Sequence, residues 1–98
     1  MSAADGTDPR IAELRARLTD NDVKIVEAFN VRLELVAQLK QVKEERGIGL
    51  LDPAREEWLL QHLARENRGP LSPQGLSELY AGLLDLTKRE VDLPTEDA

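Results

Sequence analysis

Ninety-eight residues allow one small domain, and an apolar share of 41% with only 3% aromatics is the Leu, Val, Ile and Ala vocabulary of a helical bundle. The absence of cysteine excludes disulfides, thiolate nucleophiles and Cys-ligated zinc, and the lone His62 cannot build a metal site by itself. A formal charge of −6 argues against general nucleic-acid binding.

That charge is concentrated at the ends. Asp5, Asp8, Asp92, Glu96 and Asp97 are five of the 19 acids, and the same terminal stretches hold none of the 13 Lys and Arg, so the body is close to neutral. A pocket for an anion is compatible with such a body if cations converge locally. The N-terminal residues lack a basic region followed by an apolar stretch, and no run approaches the length of a membrane span. A soluble, cytoplasmic protein is expected, with no membrane and no nucleic acid among its partners.

Residues 1–8 read as a disordered tail closed by a helix start, Asp8-Pro9, with Asp as N-cap and Pro at the first helical position. Ile11, Leu14, Leu18, Ile25, Phe29, Leu33, Val36 and Leu39 then recur mostly three and four apart, which predicts a long helix buried along one stripe. Thr19-Asp20-Asn21-Asp22 are four poor helix formers inside that pattern, and a break there is the alternative to one continuous helix. The stripe resumes in register seven residues after Leu18, which favours continuity. Gly47-Ile48-Gly49 ends the helix near Arg46.

Asp52-Pro53 repeats the start signal and opens a second helix to about Asn67, with Trp58, Leu59 and Leu63 expected to supply most of its buried face. Ser72-Pro73 opens a third, whose stripe of Leu76, Leu79, Tyr80, Leu83 and Leu84 extends to Thr87 and toward Val91. Residues 9–91 are therefore one all-α domain, and residues 92–98 an acidic tail. A first helix of about 55 Å cannot be covered by two shorter ones, so an intertwined helical homodimer is expected.

On a continuous helix Arg32 and Lys43 lie about 16 Å apart along the axis and within about 20° of the same face, so two long cationic side chains leaning together can hold one small dianion. Arg15 lies about 25 Å from Arg32 along the same helix and about 100° around it. If Arg15 serves the same site, it must come from a second chain.

Leu14-Arg15, Asp22, Arg32 with Leu35, Lys43, and Asp52-Pro53-Ala54-Arg55-Glu56 followed by Leu59-Leu60 together resemble the all-helical AroQ class of chorismate mutases. The likeness covers roughly residues 10–91 and needs no gap between Arg15 and Glu56. It implies a dimer of three-helix chains that rearranges chorismate to prephenate without cofactor, metal or covalent intermediate. Arg15 and Arg32, assisted by Arg55, would bind the two carboxylates as bidentate forks, and Arg15 would cross the dimer interface. Lys43 would donate to the ether oxygen, as charge develops there, and to a carboxylate. Asp52 and Glu56 would hold the ring hydroxyl, and Thr87 would offer a hydroxyl to a carboxylate.

One position departs from the pattern. Four residues after Thr87 the family commonly carries a Gln or Glu that also donates to the ether oxygen, and this chain has Val91 there, with Glu90 one residue earlier. Glu90 would serve only when protonated. Without such a donor the enzyme is expected to be slow alone, or to need a partner that arranges its C-terminus; family analogy offers another shikimate-pathway enzyme.

Each residue also has a plain structural role. Arg15 and Arg32 suit a solvated helix face, Lys43 a helix C-terminus, Asp52 an N-cap and Glu56 a first turn, while Arg55 could pair with a neighbouring acid. Thr87 could simply bond back to its own helix, and Trp58 and His62 read as packing. An isochorismate pyruvate-lyase on the same scaffold and a non-catalytic dimerisation module are the competing functional classes.

Overall fold

The computed structural model describes residues 8–94, and among them every regular element is an α-helix: α1 (Pro9–Glu45), α2 (Pro53–Glu66) and α3 (Pro73–Glu90). The tails expected at the two ends fall, for residues 1–7 and 95–98, outside the described residues.

Each start is fixed by the residue pair that announced it. Asp8 Oδ1 accepts the Arg10 amide at 2.9 Å, and its carbonyl accepts the Ala12 amide. Asp52 accepts the Arg55 amide at 3.1 Å and Ser72 the Gly75 amide at 3.0 Å, each just before a helical Pro that has no amide hydrogen to satisfy. α1 is continuous through Thr19-Asp20-Asn21-Asp22, so the break does not occur. Within that stretch the Thr19 hydroxyl donates to the Arg15 carbonyl at 3.0 Å, which satisfies the hydroxyl without leaving the helix.

α1 ends in a Schellman turn. Gly47 takes φ +66, its amide reaches the Glu44 carbonyl, and the Ile48 amide reaches the Lys43 carbonyl at 2.8 Å. A side chain at Gly47 would be held in the left-handed region, so the backbone that carries Lys43 depends on this glycine.

The chain divides into two units, Met1–Glu34 and Leu35–Ala98. The described part of the first is α1 alone. The second contains the last turns of α1 with α2 and α3. Lys40 Nζ donates to the Val91 and Asp92 carbonyls at 3.2 and 3.1 Å, and Lys88 Nζ meets Glu56 Oε1 at 3.1 Å. Asn67 closes the α2–α3 connection by donating to the Leu71 carbonyl while accepting the Gly69 amide.

Burial corrects three expectations. No residue of α1 is buried, and Leu14, Leu18, Ile25 and Leu39 of its stripe are all more than half exposed, because a single chain has no surface long enough to cover them. Trp58 is 42% exposed and does not lead the buried face of α2, where Leu59 and Leu63 are half-buried. On α3, Leu76 is buried but Leu79 is exposed. No described helix is long and apolar enough to cross a membrane.

Candidate active site

The second unit holds seven of the nine residues singled out from the sequence: Lys43, Asp52, Arg55, Glu56, Thr87, Glu90 and Val91. Lys43, half-buried in the last turn of α1, borders a small cleft with Val36, Leu39, Lys40, Leu50 and Leu93. An ammonium here also faces the carbonyl end of its own helix, so the macrodipole and an anion would both be served by the same charge.

Five residues after the αL glycine, Asp52 begins the next cluster. Its Oδ1 is committed to the Arg55 amide, and the other carboxylate oxygen takes no part in the cap. Arg55 is exposed, and its guanidinium carbon lies 4.2 Å from the centre of the Trp58 ring. His62 stacks on the same indole, with ring centres 4.8 Å apart and planes inclined by 7°. Trp58 is therefore engaged by residues one turn before and one turn after it, which explains its exposure: the indole lies along the α2 surface. The stack holds the Arg55 guanidinium in one place while leaving its N–H edge available for a carboxylate.

Glu56, one residue further and half-buried, pairs with Lys88 across from α3. Thr87, beside Lys88, is 3% exposed and donates to the Leu83 carbonyl at 2.7 Å. This is the back-bond expected of a threonine inside a helix. Val91 is the C-cap of α3 and half-buried, and its amide reaches the Thr87 carbonyl at 3.0 Å. Glu90 is exposed at the end of the helix.

Arg15 and Arg32 belong to the first unit, the former exposed and the latter half-buried. Separated by seventeen residues of one helix, they are about 25 Å apart along its axis, too far to grip one small molecule together from the same chain.

Two lysines were missed by reading the sequence, Lys40 and Lys88. Their roles depend on partners about fifty and thirty positions away, and helical periodicity carries no such information. Among the described residues no group of His, Asp and Glu could hold a metal ion.

Among the described residues every regular element is helical, and in the second unit Lys43, Asp52, Arg55 and Glu56 lie near helix ends, an arrangement whose chemistry suits a small polar anion. The chain matches the family model for chorismate mutase type II over residues 14–91, and it belongs to that family, the AroQ class. Membership implies chorismate mutase activity, that of an isomerase acting on chorismate. No curated protein matches the chain.

Proposed function

We propose that the protein converts chorismate to prephenate on the route to phenylalanine and tyrosine, as a cytoplasmic homodimer with two equivalent sites. The observation that carries this reading is that the family match, over residues 14–91, spans all nine candidate residues from Arg15 to Val91.

The reaction is unimolecular: a C–O bond breaks while a C–C bond forms, and no proton has to move. Its catalyst must hold the substrate folded and stabilise charge on the departing ether oxygen. Arg32 of one chain and Arg15 of the other bind the carboxylates, with Arg55 assisting from its seat on Trp58. Lys43 donates to the ether oxygen. Asp52 and Glu56, one turn apart at the start of α2, accept the ring hydroxyl. The α1 stripe, left exposed by its own chain, supplies the apolar surface for dimerisation, and only the dimer brings Arg15 to a site containing Arg32.

Val91 offers no donor to the ether oxygen, and Glu90 can act there only as the acid. Turnover that rises toward acid pH, and that becomes independent of pH in Glu90→Gln, would assign this task to Glu90.

The test is the loss of chorismate absorbance with the purified protein, with the product identified by mass spectrometry, beside Arg32→Ala and Lys43→Ala. Each substitution should lower kcat/KM by at least about 100-fold, as removal of a donor to developing charge does. Pyruvate as the product would identify a lyase instead. Turnover unchanged in both folded variants would overturn the reading.

A further inference from the structure

We infer that Lys88 is a positioning residue for Glu56, fixing one oxygen of its carboxylate so that the other is presented to the substrate's ring hydroxyl; this deepens the mutase reading and rests on it. The ion pair joins the first turn of α2 to the last turn of α3, with Lys88 Nζ and Glu56 Oε1 3.1 Å apart.

Exposure separates this pair from a surface salt bridge. The Lys88 side chain is 13% exposed and that of Glu56 31%. An ammonium removed from water to that degree needs a partner, and Glu56 meets it at hydrogen-bonding distance. By contrast, the Arg10–Asp8 pair at the N-terminus has an arginine 89% exposed and a separation of 3.7 Å, the kind of contact that contributes little.

The pair also sets what Glu56 can do. A carboxylate paired with an ammonium has only acceptor oxygens, so Glu56 receives a hydroxyl proton donor and does not itself donate. With Oε1 tied to Lys88, rotation about the last side-chain bond is restricted, and Oε2 has a defined direction. Lys88 follows the buried Thr87, so the anchor belongs to the most enclosed stretch of α3. Lys88 does not need to touch the substrate for this. It acts through Glu56.

The experiment is a kinetic double-mutant cycle with Lys88→Met, Glu56→Gln and the double variant, alongside Lys88→Arg, each checked by thermal denaturation. Lys88→Met should lose about tenfold in kcat/KM, Lys88→Arg should recover most of it, and Lys88→Met should cost less than about twofold once Glu56 is already Gln. Lys88→Gln replaces Lys88→Met if the latter fails to fold. Near-wild-type kcat/KM in Lys88→Met, or an undiminished tenfold loss in the Glu56→Gln background, would overturn the proposal. Wild-type protein with no turnover would remove the mutase reading and this one with it; active wild-type protein with an insensitive Lys88 would remove this one alone.

Discussion

Asp52 has two possible tasks that substitution can separate. As N-cap it accepts the Arg55 amide, and Asn can do the same, so Asp52→Asn should melt close to the wild type while Asp52→Ala loses about 1 kcal/mol. If the remaining oxygen also receives the substrate hydroxyl, Asp52→Asn should lose turnover despite its intact stability. Equal kcat/KM in the two proteins would leave Asp52 as a cap only. At this scale the sequence was informative wherever a residue acts on its own backbone neighbours: the caps Asp8, Asp52 and Ser72, and Gly47 through its left-handed backbone, all do what their positions announce. It was uninformative for Trp58. Its apolar bulk suggested a place in the core, whereas Arg55 and His62, at helical spacing on either side, offered a cation and a ring to stack on at the surface.

The helices themselves were legible almost to the residue, since Asp-Pro, Ser-Pro and a glycine in the left-handed region are local signals. The joints between them were not. α3 ends with Asp92 at φ 55, where a glycine would be more comfortable, and the Leu93 amide bonds to the Lys88 carbonyl at 2.8 Å. Lys40, from α1, donates to the two carbonyls at this end, offsetting the backbone cost and satisfying acceptors that the helix leaves open. Lys40→Met should therefore fray the last turn, with a loss of about 1–2 kcal/mol in stability and faster amide exchange at Val91 and Leu93. Unchanged exchange at those amides would show that the turn holds without Lys40. Three positions before Lys43, Lys40 lies on a stretch where one lysine looks much like another. Only the fold distinguishes the structural cation from the candidate catalytic one.

For the whole molecule the decisive question is whether Arg15 and Arg32 act in one chain or across two. Arg15→Ala and Arg32→Ala should each be nearly inactive. Refolded together in equal amounts, they should regain about one quarter of the wild-type activity, because half of the dimers are mixed and one of the two sites in each mixed dimer has both arginines. No recovery, with mixed dimers demonstrated by native mass spectrometry, would mean that the two arginines do not meet across an interface. The sequence had already suggested the problem through the mismatch between one very long helix and two shorter ones. It could not show where a second chain would sit, because an apolar stripe records that it needs cover and not what covers it.

A helix of 37 residues without one buried side chain would, in the proposed dimer, tie this site to protein abundance. If the catalytic groups are drawn from two chains as proposed, dilution would dissolve the active site before any chain lost its chemistry, and total activity would fall toward the square of the chain concentration. A cell that halves its supply of such a chain near the dissociation constant loses more than half of its catalysis, so expression level alone becomes a control on flux.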